Sequence, residues 1–388
     1  MSTVTALELS RFEHFIPGFP DLYKFYAFLS ASPNLETLAV ENWLPKSSVM
    51  DQANLPVLDF PSLSRLSISG GVETCHAFLR SLRIPGRAEL NFNFTIDDFE
   101  EDYDTLRGPV GQLLSAAWKH ISGDRANVAN DRRWCLSLEL ETEYTSQIRI
   151  FTRDEEMKPF CDHPLEPSFP CFRDLLRIRI PFHTFSFFRE LGPILESGGL
   201  APTEVEILDI RYHNIQLRRE TLTGWRELFK IFPNVHTLFI NSHRAGNHPV
   251  RELPQLLSEP ADCSEDLHTS TPVVLPALRY LWMHHVTAEC PEYTTEGLLC
   301  FQYDILKMLR YRVGVGLQHL RLGRVLTELD DGFPEHAAAL RESFVGRASK
   351  VLPIVWENRF KDCDHELPCV KFFTTEKHST QATVRLLL

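Results

Sequence analysis

A short phrase of alternating hydrophobic and polar residues recurs along the chain. It begins with proline and places aliphatic side chains at its third, sixth and eighth positions. The four full copies are Pro33–Val40, Pro61–Ile68, Pro233–Ile240 and Pro276–Met283. The alternation at the end of the phrase is typical of a short strand with one buried face. Proline comes just before the strand, where no backbone donor is needed, so the phrase predicts a strand at each copy.

Weaker copies keep part of this spacing and predict further strands. They are Val205, Leu208 and Ile210; Leu317, Leu320 and Leu322; Leu90 and Phe92; Leu136, Leu138 and Leu140; and Leu176, Ile178 and Ile180. Between the strands the hydrophobic period changes to that of a helix. The helical stripes are Leu22, Phe25, Tyr26 and Leu29; Cys75, Phe78, Leu79 and Leu82; Val110, Leu113, Leu114, Ala117, Trp118 and Ile121; and Leu222, Trp225, Phe229 and Phe232. The repeating unit is therefore a strand followed by a helix.

One such unit is too small to fold alone. Burying three strand aliphatics yields roughly 5 to 9 kcal/mol, whereas ordering about 25 residues costs roughly 1 to 2 kcal/mol each. Neighbouring units must stack and cover each other's apolar faces. The sequence therefore predicts an α/β fold, an irregular leucine-rich-repeat-like solenoid of alternating short parallel strands and helices.

The repeat array is expected to span residues 1–330, followed by a capping segment over 331–388. Its spacing is irregular, from 24 residues between Leu66 and Leu90 to more than 40 between other successive copies, such as Leu238 and Leu281. Two insertions are predicted to be loops. The first, near 97–104, carries six carboxylates, and the second, near 243–272, is rich in proline, serine, glutamate and threonine.

Composition and charge narrow the expected partners and compartment. Hydrophobic residues make up 43% of the 388 residues, enough to build a core. A net charge of −12 opposes binding to a phosphate backbone, so nucleic acid is not expected as a partner. No apolar run reaches the roughly 18 residues of a membrane span, and the N-terminus lacks a signal-peptide pattern. We expect a cytoplasmic or nuclear protein with reduced thiols, because none of its nine cysteines forms a C-x-x-C pair.

Candidate chemistry is sparse, and no catalytic, cofactor-binding or metal-ligating residue is predicted. The common catalytic motifs are absent from the sequence, so we expect a protein that is not an enzyme. Gly314–Gly316 is interpreted as a turn, because the third glycine of a dinucleotide motif is missing. Cys161–His163 and Asp362–His365 are interpreted as polar loops, because adjacent ligands rarely converge on one metal ion. His284 and His285 follow a predicted strand and are interpreted as ordinary, half-exposed histidines.

The repeat phrases resemble the substrate-binding region of fungal F-box proteins. The matching segments are SPNLETLAV at Ser32–Val40, FPSLSRLSI at Phe60–Ile68, FPNVHTLFI at Phe232–Ile240 and LPALRYLWM at Leu275–Met283. The resemblance extends over Leu7 to Leu322. It implies repeats that hold a substrate, in proteins whose F-box docks on a Skp-type adaptor of a cullin-RING ubiquitin ligase.

The F-box itself is not visible, because the first periodic segment already has the repeat pattern. We therefore expect a truncated product or a repeat-only relative, with a Skp-type adaptor as a partner if an F-box lies upstream. The predicted function is a protein-binding repeat module for substrate recognition in an F-box-type ubiquitin ligase, without catalysis. The alternatives are a repeat-only scaffold unrelated to ubiquitin and an unrecognised hydrolase. No partner-binding residue is assigned; truncation to alanine is predicted to cost roughly 2 to 5 kcal/mol at the repeat anchors Leu38, Leu66, Leu208, Leu238, Leu281 and Leu320.

Overall fold

The computed structural model describes a mixed α/β protein. The described residues are 4–10, 22–45, 47–52, 55–94, 103–123, 134–142, 145–152, 173–180, 184–212, 221–242, 252–258, 274–284, 294–323, 334–352, 354–357 and 383–387. Their strands are β1 (Ala6–Ser10), β2 (Thr37–Glu41), β3 (Leu58–Asp59), β4 (Arg65–Gly70), β5 (Leu82–Arg83), β6 (Glu89–Phe94), β7 (Trp134–Thr142), β8 (Thr145–Thr152), β9 (Arg173–Ile180), β10 (Val205–Tyr212), β11 (Thr237–Ser242), β12 (Tyr280–His284), β13 (His319–Gly323), β14 (Ile354–Glu357) and β15 (Thr383–Leu387). Their helices are α1 (Leu22–Ser30), α2 (Ser47–Gln52), α3 (Val72–Arg80), α4 (Tyr103–Gly123), α5 (Thr184–Ser197), α6 (Thr221–Ile231), α7 (Glu252–Ser258), α8 (Thr294–Val315) and α9 (Pro334–Ala348). Strands and helices alternate along most of the chain, as the sequence predicts.

Thirteen of these strands form one sheet, in the order β14-β13-β12-β11-β10-β7-β8-β9-β6-β4-β2-β1-β15. Two runs of neighbouring strands, β1-β2-β4-β6 and β10-β11-β12-β13-β14, are parallel and follow the order of the sequence. The short strands β3 and β5 form a separate parallel pair. The described strands leave the sheet open, with β14 at one edge and β15 at the other.

The middle of the sheet departs from the predicted parallel pattern. Strands β7, β8 and β9 form an antiparallel meander. Its strands cross the sheet in the reverse of their sequence order. The last strand, β9, pairs with β6, and the first strand, β7, pairs with β10. The segments around Leu136 and Leu176 are strands as predicted, but they are not successive members of a uniform parallel array.

The repeat anchors lie in one row across the sheet, which confirms the predicted register. Leu38 is aligned with Leu66, and on the other side of the meander Leu208, Leu238, Leu281 and Leu320 are aligned in turn. All six anchors are at most 2% exposed. They belong to one hydrophobic cluster that also contains buried side chains of the helices. The aligned leucines of neighbouring strands therefore form the sheet side of the hydrophobic core.

The helices cover this core because their apolar stripes face the anchors. In α1 the buried residues are Leu22, Phe25, Tyr26 and Leu29, the predicted stripe. Tyr26 also joins α1 to the end of α3: Ser81 Oγ donates to the carbonyl of Phe78, so the Tyr26 hydroxyl, 2.6 Å away, donates to Ser81. Burial raises the pKa of Tyr26 to about 12, an effect that the Ser81 contact partly offsets. Among the described residues, no helix has the length and apolar character required to cross a membrane.

Both predicted loop insertions contain helical residues. Tyr103 and Asp104 begin α4, whereas residues 97–102 lie outside the described ranges. Within 243–272, helix α7 forms at Glu252–Ser258 and buries Leu253, Leu256 and Leu257. The prediction of a loop was wrong there, because three leucines at helical spacing outweigh the surrounding polar composition. Proline is tolerated in this helix near its first turn.

The C-terminal segment supplies the strands at both edges of the sheet. Helix α9 and strand β14 extend the array beyond β13, close to the predicted extended segment at 352–356. The second predicted segment, 370–373, lies outside the described residues. Strand β15 was not predicted, and it pairs in parallel with β1 at the opposite edge.

Candidate partner-binding face

The sheet has a second side, formed by the strand residues that alternate with the buried anchors. In β2, for example, Leu38 and Val40 are buried in the core while Thr37 and Ala39 are half-buried. We call this side the non-core face. Its described residues are Thr37, Ala39, Arg65, Ser67, Glu89, Asn91, Asn93, Arg177, Arg179, Ile207, Asp209, Arg211, Thr237, Phe239, Tyr280, Trp282, His319 and Arg321. Because side chains of aligned residues lie on the same side of a sheet, these positions form one surface.

An aromatic and basic cluster occupies the non-core face over β11, β12 and β13. Phe239, Trp282 and Arg321 are aligned on the three strands. The Phe239 and Trp282 rings lie 5.4 Å apart, and the Arg321 guanidinium lies 4.2 Å from the centre of the Trp282 ring. Phe239 is 8% exposed and Trp282 is 6% exposed, but neither belongs to the main hydrophobic cluster. The sheet thus carries a second apolar cluster, covered by a guanidinium in cation–π geometry.

A row of polar aromatic rings lies beside this cluster, at the start of the same strands. Tyr280 and His319 stack with their ring centres 5.2 Å apart and their planes 5° from parallel. The ring of His236 meets Tyr280 edge-on at 6.5 Å. His236 Nε2 lies 3.1 Å from Glu206 Oε2, and its Nδ1 lies 2.7 Å from the Thr237 hydroxyl. His319, Tyr280 and His236 therefore form a continuous row of rings that ends at the carboxylate of Glu206.

Charged groups elsewhere on the non-core face form ion pairs with each other. Arg211 Nε donates to Asp209 Oδ2 at 2.7 Å. On the other side of the meander, Arg65 contacts Glu89 at 3.1 Å. Such half-exposed pairs contribute only about 0 to 1 kcal/mol each to stability. They do, however, hold these arginine side chains in defined positions.

On the helical side, one buried arginine has a structural role. Arg312 of α8 is 2% exposed and donates to the carbonyls of Leu257, Leu275 and Val274. Burial lowers the pKa of Arg312 to about 10, which contact with Tyr311 partly offsets. The side chain joins the end of α7 and the segment before β12 to α8, and it is remote from the non-core face by its place on the helix.

The residues weighed for chemistry in the sequence do not converge in the described part of the chain. No group of three His, Cys, Asp or Glu side chains suited to a metal ion is present among the described residues. Cys161–His163, Asp362–His365 and His285 lie outside those residues, and His284 is the last residue of β12. At Gly314–Gly316 the predicted turn is the end of α8, where Gly316 has a φ of +119°.

A cavity on the core side is lined by apolar side chains alone. Its lining residues are Leu136, Ile150, Leu195, Leu200, Ala201, Pro202 and Val205. It therefore brings together no titratable groups of the kind that acid–base or nucleophilic catalysis requires. The buried thiol of Cys75 in α3 is likewise unsuited to nucleophilic attack, because burial raises its pKa far above the usual range.

The aromatic cluster was missed in the sequence, although a signal for it was present. In the phrases TLAV and RLSI the residue between the last two aliphatics is small, whereas in TLFI and YLWM it is Phe239 and Trp282. That position lies on the non-core face. Two large aromatic residues at this position in adjacent repeats make the non-core face a candidate for partner binding.

Comparison of the sequence with models of known protein families and with curated proteins finds no match.

Proposed function

We propose that this chain is a protein-binding repeat module that recruits a substrate in an F-box-type ubiquitin ligase context and has no catalytic activity of its own. In this proposal its strand–helix units stack as an irregular leucine-rich-repeat-like solenoid. The partner binds on the non-core face. The observation that carries the proposal is the Phe239–Trp282–Arg321 cluster on that face.

The composition of the cluster supports binding to a protein. Tryptophan, tyrosine and arginine are the residues that most often dominate the binding energy of protein interfaces. On the non-core face they occur at aligned positions of β12 and β13, as Tyr280, Trp282 and Arg321. The core requires none of them, because the anchors on the opposite side already form one hydrophobic cluster with the helices.

The contacts of two arginines also support a binding surface whose side chains are ordered before a partner binds. Arg211 is held by Asp209 on β10, next to the strand that carries Phe239. Arg321 is held against Trp282. Side chains that are already ordered lose less conformational entropy when a partner binds. The aromatic cluster and its flanking charges therefore suit a binding surface of fixed shape.

The test is an affinity purification from the source cells with the full chain as bait, followed by quantitative mass spectrometry. Arg321→Glu reverses the charge beside Trp282, and Arg310→Glu makes the same change at an exposed position of α8. We expect partners of the parent chain to be lost with Arg321→Glu and retained with Arg310→Glu. Circular dichroism and thermal melts of the three proteins establish that they are equally folded.

The identity of the co-purified proteins distinguishes the ligase hypothesis from the scaffold hypothesis. A Skp-type adaptor and a cullin among them support the ligase context. Direct partners recovered reproducibly without an adaptor support a repeat-only scaffold instead. Equal recovery of every partner by the two charge-reversal variants contradicts binding at the aromatic cluster.

A further inference from the structure

One edge of the sheet is completed by a strand from the far end of the chain. Strand β15 pairs in parallel with β1 over five aligned residues, from Ala6 with Thr383 to Ser10 with Leu387. On its other side, β1 pairs with β2, the next strand in sequence. Among the described strands, β15 pairs with β1 alone. The edge of β1 that faces β15, which we call the β1 edge, is therefore filled by a segment remote in sequence.

The register of β15 shows what kind of sequence the β1 edge accepts. Val384 is aligned with Leu7, and Leu386 is aligned with Leu9. Leu7 and Leu9 are 1% and 3% exposed, and both belong to the main hydrophobic cluster. The positions of Val384 and Leu386 thus extend two rows of buried aliphatic residues that cross β1, β2 and β4. The edge accepts a parallel strand with aliphatic residues at two alternate positions.

The connection to β15 is long enough for this strand to leave the edge and return. β14 ends at Glu357 and β15 begins at Thr383, so 25 residues lie between them. These strands are the opposite edges of a 13-stranded sheet, which is roughly 58 Å wide at about 4.8 Å per strand. A chain of 25 residues reaches up to roughly 85 Å. The separation of β15 from β1 therefore does not require any movement of β14.

β15 also has fewer strand partners than the strands inside the array. β2, for example, is paired with β1 on one side and with β4 on the other. Segments with few partners open at a lower free energy than the rest of a folded protein. When β15 opens, backbone donors and acceptors of β1 become available to another strand. The pairing of β15 with β1 therefore suits reversible occupation of the edge.

We propose that the β1 edge is an acceptor site for an extended segment of a partner protein, and that β15 occupies this site as a displaceable, autoinhibitory strand. The partner segment runs parallel to β1 and carries aliphatic residues at two alternate positions. In this mode of recognition, backbone hydrogen bonds provide affinity and alternate side chains provide specificity. The β1 edge is distinct from the non-core face, so this inference goes beyond the proposed function.

The connection within the chain favours a different protein over a second copy as the occupant. A strand that is joined to its own acceptor site is present there at a high effective concentration. The identical strand of a second copy makes the same contacts without this advantage. A partner segment whose sequence fits the edge better than β15 does can overcome it. The natural occupant is therefore expected to be a stronger version of the β15 pattern.

Hydrogen exchange of the native full chain, followed by mass spectrometry, is the first test. Amides of β15 are expected to exchange at least about tenfold faster than those of β2, because β15 opens while the array stays folded. Equal exchange in the two strands would mean that β15 is a permanent part of the sheet, and it would overturn the inference. This measurement requires no variant, so it decides the matter even if a variant of β15 does not fold.

Peptide binding is the second test, with a fluorescein-labelled peptide of residues 381–388 as the probe. Fluorescence anisotropy compares its affinity for the parent chain and for the full-length variant Val384→Gln/Leu386→Gln, in which β15 is weakened. We expect at least about tenfold tighter binding to this variant, because more of its acceptor sites are open. The matched control, Thr383→Gln/Arg385→Gln, changes the two alternating positions of the same strand and is expected to bind like the parent. Thermal melts followed by circular dichroism establish that the three chains are folded.

The location of the bound peptide separates the possible outcomes. Hydrogen exchange is expected to show that the peptide protects Ala6–Ser10 in the weakened variant. Equal affinities for all three chains, or protection only at another segment, overturn the inference. A concentration-dependent dimer, detected by light scattering and abolished by Val384→Gln/Leu386→Gln, would replace the partner protein with a second copy. Arg321→Glu is expected to leave peptide binding unchanged, so failure of the acceptor site and failure of the proposed function are distinguishable.

Discussion

The close contact between α4 and α5 predicts that alanine at Gly111 destabilises the protein. Helix propensity alone predicts the opposite effect. Gly111 of α4 faces Ser197, the last residue of α5. A Cβ added at Gly111 would lie 1.9 Å from Ser197 Oγ and 2.9 Å from Ser197 Cβ. Gly198, the residue directly after α5, makes a similar approach, because its added Cβ would lie 2.4 Å from Leu114. The two helices are therefore in contact where neither has room for a methyl group.

Gly111→Ala is expected to destabilise the protein although alanine is the better helix former. Alanine in place of a mid-helix glycine normally stabilises by about 1 kcal/mol. Overpacking a well-filled interface costs about 1 to 3 kcal/mol, and here part of the clash is with a Cβ atom that no rotamer change can remove. The expected net result is a loss of up to about 2 kcal/mol. Urea unfolding followed by circular dichroism at 222 nm measures it.

Two further variants isolate the cause. Gly346 of α9 has no atom within 4 Å of its added Cβ, so Gly346→Ala is expected to stabilise the protein or leave it unchanged. Ser197→Gly removes the atoms that clash, and the double variant Gly111→Ala/Ser197→Gly is expected to be more stable than the sum of the single changes predicts. Stabilisation by Gly111→Ala equal to that of Gly346→Ala would falsify the close helix contact.

Three other predictions concern buried or half-buried polar side chains. Arg312→Leu is expected to lower the free energy of unfolding by about 3 to 5 kcal/mol, because three carbonyls lose their donor; a loss under 1 kcal/mol in urea titration contradicts the role of Arg312. Cys75 is expected to be alkylated by iodoacetamide at pH 8 far more slowly in the native than in the unfolded protein, as peptide mass spectrometry can measure. Burial lowers the pKa of the His120 side chain in α4 below its usual value of 6.5. As the pH falls, the unfolded state therefore binds a proton at His120 before the folded state does, and the free energy of unfolding decreases. His120→Gln is expected to show a smaller loss between pH 7.5 and 5.5, and an unchanged loss rules this contribution out.

The local period of the sequence predicted the strands and most helices because burial on one side leaves a clear pattern. Leu238 and Leu281 are examples, aligned and buried as their shared phrase indicates. The direction and order of pairing leave no such pattern, since an antiparallel strand alternates in the same way as a parallel one. The reversed meander was therefore missed, and with it strand β8, in which the described side chains of Ile148 and Ile150 are buried.

The candidate face was predictable only in part. Phe239 and Trp282 stand out when the repeat phrases are aligned, because the equivalent residues in the first two copies are small. The alignment of β8 with β9 was not predictable, because these strands become neighbours only when the chain folds. Alignment between distant segments is a property of the fold, and no local spacing encodes it.

The reversed meander also determines when the central strands can assemble during synthesis on the ribosome. Strand β6 ends at Phe94, but its neighbour β9 begins at Arg173, after the two other strands of the meander have been made. At translation rates of about 5 to 20 residues per second, β6 therefore waits roughly 4 to 16 s for its partner. Throughout that interval its unpaired edge is open to association with other nascent chains. We therefore expect folding of this protein during synthesis to depend on chaperones that shield emerging strands. When such chaperones are scarce, we expect its yield to fall first through association at the unpaired edge of β6.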